Sequence, residues 1–193
     1  SPPLAGLVIA TLAMPFAAVA QDRVVPDTYL AVTTNMQPAE VQLKADVIRW
    51  SSAEERAAVI AALDSDEPAA ALKDLPTMGV VWRENSAVGN SIKYAYRTGA
   101  EDGERVTLVT EKQIGYTSFK PWAAENPADE VSTDYTVIEM NVGEGGSGLG
   151  TMSLGANVSI DRESDLISLA ADDAEPLLTN VRMAPKPYWA NAD

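Results

Sequence analysis

Residues 91–110 read SIKYAYRTGAEDGERVTLVT, and this stretch decides the fold class of the chain. In its first half, apolar side chains alternate with other residues, of which Lys93 is one. The alternation resumes after a turn at residues 99–103. Two period-2 segments joined by a short glycine-containing turn predict a β-hairpin, and therefore antiparallel strands. The apolar positions of the two strands are Ile92, Tyr94, Tyr96, Val106 and Leu108.

Several other segments predict further strands of the same sheet. Residues 151–160 show the longest clean alternation, and residues 135–142 are apolar on both parities, as in a central buried strand. The full set of predicted strands is 28–34, 41–47, 78–83, 92–97, 105–109, 135–142, 151–160, 166–170 and 177–183. We therefore expect a mostly antiparallel sheet of about eight strands, arranged as a sandwich or an open barrel.

Residues 50–76 are the part of the chain beyond the N-terminal region that has a helical pattern. Ser51 and Ser52 each precede a glutamate by three residues, so either serine can close a capping box at the first turn. Apolar side chains recur behind it at spacings of three and four, and a second short helix opens at Pro68. Two short amphipathic helices cannot form a core alone. They should pack on the sheet, which makes the predicted class α+β with a two-helix insertion.

The N-terminal region has the pattern of an export signal. Residues 4–14 are uncharged and apolar, Pro15 follows, and residues 18–20 give the small-x-small pattern that a signal peptidase accepts. The apolar run is too short for a membrane anchor. We expect cleavage after Ala20, a single domain over residues 21–183 and a proline-containing tail over 184–193. The predicted location is the periplasm or the outside of the cell, with no membrane attachment once the signal is removed.

Composition excludes several kinds of chemistry. The chain has no cysteine, so a disulfide framework and thiol catalysis are excluded. It also has no histidine, which excludes a Ser-His-Asp triad and an HExxH zinc site. The formal charge of −14 argues against nucleic acid as a partner, because that partner is held largely by lysine and arginine. No cofactor is predicted.

Two motifs could indicate a site, but each has a simpler interpretation. Gly143, Gly145 and Gly148 match G-x-G-x-x-G, yet they lead into a strand, where the dinucleotide motif needs a helix N-terminus. A hairpin turn is favoured. The acidic turns could bind Ca²⁺ or act as acid and base in a hydrolase, although none has EF-hand spacing and solvated turns are favoured. These turns contain Asp64, Asp66 and Glu67; Asp161, Glu163 and Asp165; and Asp172, Asp173 and Glu175.

The long segment from 113 to 131 carries the only site residues that the sequence suggests. Tyr116, Phe119 and Trp122 fall within seven residues of one another, and aromatic side chains on a loop are costly to leave in water. One interpretation is a plug that closes one end of the sheet. The other is a surface that contacts a ligand or a protein partner.

Five segments together resemble a family of uncharacterised exported bacterial proteins. They are residues 50–56, the strand at 93–95 with the turn at 102–105, residues 134–139, the glycine-rich turn, and residues 178–182. The similarity spans about residues 28–183 and implies a single exported domain, but no activity, cofactor or catalytic residue is established for that family. The missing histidine and cysteine, together with the aromatic loop on a β scaffold, favour a non-catalytic envelope domain that binds a small molecule or an envelope protein. The alternative is a periplasmic hydrolase that depends on carboxylates or a metal.

Overall fold

A computed structural model describes residues 25–34, 36–37, 40–84, 86–114, 120–121, 135–153, 157–170 and 177–187. It contains two helices and twelve strands within these ranges. The helices are α1 (Ala53–Leu63) and α2 (Pro68–Lys73). The strands are β1 (Asp27–Thr33), β2 (Met36–Gln37), β3 (Gln42–Val47), β4 (Gly79–Arg83), β5 (Asn90–Ala100), β6 (Gly103–Thr110), β7 (Lys120–Pro121), β8 (Thr136–Gly143), β9 (Gly148–Met152), β10 (Asn157–Asp161), β11 (Leu166–Ala170) and β12 (Leu178–Met183).

Eight of the strands form a closed antiparallel barrel. Their order around it is β1, β3, β4, β5, β6, β8, β9 and β12, and β1 pairs with both β3 and β12. Each barrel strand therefore lies beside the barrel strands that precede and follow it in the chain. The predicted α+β class, with mostly antiparallel strands and a short helical insertion, is confirmed. Of the arrangements left open by the sequence, the sheet takes the barrel form, and the β1–β12 pairing closes it.

Apolar side chains fill the described part of the barrel interior. Alternate residues of β3 point inward, namely Leu43, Ala45 and Val47, and all three are buried. An interior void bordered by Tyr29, Leu43 and Met140 has a volume of only about 10 Å³. A void of that size is barely enough for one water molecule. The middle of this barrel is a packed core, as an eight-stranded barrel allows.

A second layer packs on one side of the barrel's outer surface. The helices and the β10–β11 hairpin pack against outward-facing residues of three neighbouring strands, Tyr94 of β5, Val109 of β6 and Val137 of β8. The second layer contributes the remaining buried residues of this cluster, namely Val59, Ile60, Ala62, Leu63, Leu72, Ile167 and Leu169. The predicted packing of the helical pair on one face of the sheet follows from these contacts. The outer faces of β1, β3 and β12 lie on the other side of the barrel.

The prediction of one strand over residues 151–160 is wrong. β9 ends at Met152 and pairs with β8 and β12 inside the barrel, whereas β10 begins at Asn157 and pairs with β11 in the outer layer. Met152 belongs to the interior cluster, and Val158 packs with the outer one. Because both strands are amphipathic, the alternation continues across the point where the chain leaves the barrel.

The faces of β5 also differ from the prediction. A register shift between Ile92 and Tyr94 in the β5–β6 pairing places Ile92 in the barrel interior and Tyr94 on the outer face. Ala95 consequently points inward, and Lys93 is buried rather than exposed to solvent. A β-bulge inserts one residue and so exchanges the two faces of the strand beyond it.

The N-terminus of α1 has the predicted capping box, with Ser52 as the N-cap. The Ser52 hydroxyl accepts a hydrogen bond from the Glu55 N–H, and the Glu55 carboxylate accepts one from the Ser52 N–H. Arg49 pairs with the same carboxylate at 2.7 Å. The hydrogen bond from Arg49, followed by that from Ser52, lowers the pKa of Glu55 to about 2.

We expect Glu55→Gln to make the protein less sensitive to acid. A depressed folded-state pKa stabilises the protein above the ordinary value of 4.5, and this stabilisation is lost as the pH falls toward about 2. Glutamine keeps an acceptor at the cap but cannot be protonated in this range. Urea denaturation at several pH values should show a smaller loss of stability between pH 4.5 and 2 in the variant. Parallel pH profiles for the two proteins would contradict this assignment.

Within the described residues, neither helix has the length and apolar character needed to cross a membrane.

Candidate functional site

The predicted contact residues Tyr116, Phe119 and Trp122 lie outside the residues that the structure describes. The described backbone nearest to them in the chain is β7, which pairs with β2. The choice between a plug and a binding surface therefore stays a prediction. Asp172, Asp173 and Glu175 also lie outside the described ranges.

The acidic turn between β10 and β11 forms hydrogen bonds within itself. The Asp161 carboxylate accepts hydrogen bonds from the Glu163 N–H at 2.9 Å and the Ser164 hydroxyl at 2.6 Å. The hydrogen bond from the Ser164 hydroxyl is the main cause of the lowered pKa of Asp161. At the other turn, Asp64 is bound by Arg162. Among the described residues, no group of three or more Asp, Glu, His or Cys side chains is placed to hold a metal ion.

The glycine-rich segment forms the hairpin turn between β8 and β9. The Gly143 N–H donates to the Ser147 carbonyl at 3.0 Å, and Gly146 has a φ of 74°. That backbone conformation suits glycine, which has no Cβ to clash with the chain. The sequence prediction of a hairpin turn in place of a dinucleotide site agrees with this geometry.

One end of the barrel carries a cluster of paired charges, which we call the ion-paired end. Asp27 of β1 accepts a hydrogen bond from the Trp50 indole N–H at 3.2 Å and lies 3.7 Å from the Arg97 guanidinium. The guanidinium carbon of Arg97 also lies 4.7 Å from the centre of the Trp50 ring. Lys186 adds a further ion pair to Asp27 at 3.1 Å. The aromatic ring and the two cations hold the Asp27 carboxylate in place.

Tyr29 connects the ion-paired end to the barrel core. Its hydroxyl donates to Glu104 at 2.9 Å, and Glu104 lies on β6, which is diametrically opposite β1 in the strand order. Burial, assisted by the hydrogen bond to Glu104, raises the pKa of the Tyr29 hydroxyl. Since these carboxylates already have partners on the protein, we interpret this cluster as a structural closure of the barrel end.

Among the described residues, the strongest candidate for a binding site is a groove on the side of the barrel away from the second layer. It has a volume of about 410 Å³ and is bounded by strands β1, β3 and β12 and by the β8–β9 turn. We call it the β1–β12 groove. Its lining residues are Leu30, Ala31, Val32, Gln42, Gly146, Ser147, Asn180 and Arg182.

Irregular pairing between β1 and β12 shapes the floor of this groove. The register shifts between Leu30 and Val32 on β1, and Asn180 on β12 takes a left-handed φ of 51°. Asparagine is one of the few non-glycine residues that adopts this conformation readily. The hydrogen-bonded pairing of the two strands is therefore bulged at this point. The exposed Gly146 and Ser147 of the β8–β9 turn form one wall of the groove.

The side chains of the groove divide into an apolar and a polar group. Leu30 and Val32 are half-buried on the outward face of β1, so they offer apolar surface. Amide and hydroxyl groups come from Gln42, Ser147 and Asn180. Polar groups placed beside apolar side chains are a feature of sites that bind small molecules.

Arg182 supplies the positive charge of the groove. Its guanidinium has neither an ion pair nor a hydrogen bond among the residues that the structure describes. Most of the other lysine and arginine side chains among the described residues do have a carboxylate partner. The paired residues include Lys44, Arg49, Lys93, Arg97, Arg105, Arg162 and Lys186. An unpaired arginine on a chain with a net charge of −14 is therefore available to an anionic ligand.

Sequence reasoning missed the groove, although one signal was present. The last predicted strand places Asn180 and Arg182 on the same parity, which would be polar and exposed in a regular strand. No periodic pattern shows that the β8–β9 turn lies beside that strand.

No family model, curated protein or solved structure matches this chain. The resemblance to exported bacterial proteins stays a prediction, and the geometry of the groove is the main indication of function.

Proposed function

We propose that this protein is a non-catalytic binding or accessory domain of the bacterial cell envelope, and that it holds a small molecule in the β1–β12 groove. The observation that supports this most directly is the groove itself. Its volume of about 410 Å³ lies within the usual range for small-molecule sites. The leader at residues 4–20 supports a periplasmic or extracellular location.

The chemistry of the lining supports binding rather than turnover. Gln42, Ser147, Asn180 and Arg182 contribute amide, hydroxyl and guanidinium groups. These groups donate or accept hydrogen bonds, but an amide or a guanidinium does not change its protonation state near neutral pH and so does not act as a general acid or base. A serine hydroxyl needs an adjacent base to act as a nucleophile. The groove is therefore suited to holding a ligand without changing it.

The position of the groove, which no described element of the second layer covers, fits an exported binding domain. The second layer packs on β5, β6 and β8, on the other side of the barrel from β1. A ligand can therefore approach the groove without displacing the helices. The packed middle of the barrel should act as a rigid scaffold under the site.

The proposal is tested on protein recovered from the periplasm after expression with its leader. We expect an N-terminus at Gln21 and, in a thermal-shift screen of small metabolites, at least one compound that raises the melting temperature. That compound should be recovered unchanged after prolonged incubation. Cytoplasmic retention would contradict the proposed location. Hydrolysis of the compound, with loss of activity after EDTA treatment, would contradict the non-catalytic role and favour a metal-dependent hydrolase.

A further inference from the structure

The geometry points to a monoanionic ligand with an apolar body, of which an aliphatic carboxylate is the simplest example, bound in the β1–β12 groove with its carboxylate on Arg182. This inference rests on the proposed function, since it names the class of compound that the groove would hold. It is carried by the juxtaposition of the unpaired guanidinium of Arg182 with the half-buried side chains of Leu30 and Val32 in one groove.

The charge of the groove selects a single negative charge. Arg182 is the one lysine or arginine among the eight residues that line it. A guanidinium presents its N–H donors in a planar fork that matches the two oxygens of a carboxylate. A dianion such as a phosphate monoester would leave one charge unmatched on a chain whose formal charge is −14. One carboxylate is therefore the better match.

The rest of the lining accounts for the remainder of the ligand. Leu30 and Val32 form the apolar β1 side of the groove, where an alkyl chain would remove apolar surface from water. The side-chain groups of Ser147 and Asn180 are exposed and can donate to the second carboxylate oxygen. The bulged pairing near Asn180 holds this polar group beside the strand that carries Leu30.

The test is calorimetric titration of the protein with octanoate, compared with octanol, octylamine and octyl phosphate. We expect octanoate to bind about tenfold more tightly than octanol or octylamine, the difference that one charge-assisted hydrogen bond provides. Octanoate should also bind more tightly than acetate, because acetate lacks the alkyl chain. Affinity should fall as the salt concentration rises, since the arginine is exposed.

Three variants assign the anion contact to one side chain. Arg182→Gln should weaken octanoate binding about tenfold and leave octanol binding unchanged, and Arg182→Lys should retain part of the affinity. Lys112→Gln is the matched control, since it removes the same charge from an exposed residue after β6, on the opposite side of the barrel. Melting temperatures should be nearly the same for all variants, because these side chains are exposed.

The outcomes separate this inference from the proposed function. Equal affinity for octanoate and octanol, or an Arg182→Gln variant that binds octanoate normally, would overturn the carboxylate inference. Tighter binding of octyl phosphate would overturn the choice of a monoanion. None of these results would decide the proposed binding function, which the wider screen tests separately. Failure of every compound in the wider screen would count against the proposed function itself.

Discussion

Replacing Tyr29 with alanine is expected to lower the free energy of unfolding by about 3–5 kcal/mol, as large aromatic truncations in protein cores do. Tyr29 is 1% exposed, and its ring packs edge-on against Trp50 with 6.5 Å between the ring centres. Its hydroxyl reaches Glu104 on the opposite wall of the barrel. The substitution therefore removes both core volume and a contact across the barrel. Urea denaturation followed by circular dichroism measures the loss.

Tyr29→Phe separates these two contributions. It keeps the ring and removes the hydroxyl, so Glu104 loses one donor, and Arg97 remains at 4.0 Å from its carboxylate. We expect a loss of about 1–2 kcal/mol, typical of a partly buried polar group left without one partner. A loss below about 1 kcal/mol for Tyr29→Ala would show that the ring does not fill the barrel as described.

Replacing Lys93 with methionine is expected to destabilise the protein by about 3 kcal/mol. The side chain is 5% exposed, and its ammonium group donates to the Leu75 carbonyl at 2.9 Å and lies 3.3 Å from the Glu111 carboxylate. It also donates to the Lys73 carbonyl and to the Thr77 hydroxyl. Removing one member of a buried ion pair typically costs about 3–5 kcal/mol, and the partial exposure of Glu111 places this case at the low end.

Two further variants test whether the charge of Lys93 is the cause. Lys112→Met makes the same chemical change at an exposed position and should alter stability by about 0.5 kcal/mol or less. The double variant Lys93→Met with Glu111→Gln removes both charges and should recover part of the loss. Hydrogen exchange should be faster in α2 for the single variant, because Lys93 connects the end of this helix to the barrel. Equal stability of the Lys93 and Lys112 variants would contradict the interpretation.

The hairpin of residues 91–110 illustrates how much of the fold could be predicted. Its turn and antiparallel pairing follow from glycine positions and period-2 alternation, and the structure has both as β5 and β6. The alternation also placed Tyr94 on the same face as Ile92, and this was wrong, because Ile92 lies in the barrel interior and Tyr94 on the outer face. A single-residue bulge reverses the faces of a strand without disturbing the alternation that a sequence displays.

Closure of the barrel was beyond local patterns. β1 and β12 pair although they are far apart in the sequence. Their pairing depends on strand twist and on the number of strands, and no single segment determines either property. The prediction of a single strand over residues 151–160 was wrong for a related reason. Alternation shows that one face of a strand is buried, but it does not show which layer buries that face. The capping box at Ser52 was predictable because its two hydrogen bonds join residues three positions apart.

The candidate site was less predictable than the fold. Arg182 could be recognised as a polar residue of a strand. Its lack of a partner among the described residues and its place in one groove with Ser147 depend on tertiary structure. Sequence reasoning directed attention to aromatic residues, since their burial is informative in a loop. A cation on a β-strand carries no comparable signal until its neighbours are known.

The central claim, a carboxylate-binding groove between β1 and β12, is tested most directly by two-dimensional amide NMR during titration with octanoate. We predict saturable shifts at the backbone amides of Leu30, Ser147 and Asn180, with little change at Val109 or Val137 under the second layer. The same titration of Arg182→Gln should require about tenfold more octanoate to reach the same shifts. Shifts confined to interior residues such as Leu43 and Met140, or unchanged in the Arg182 variant, would contradict this account.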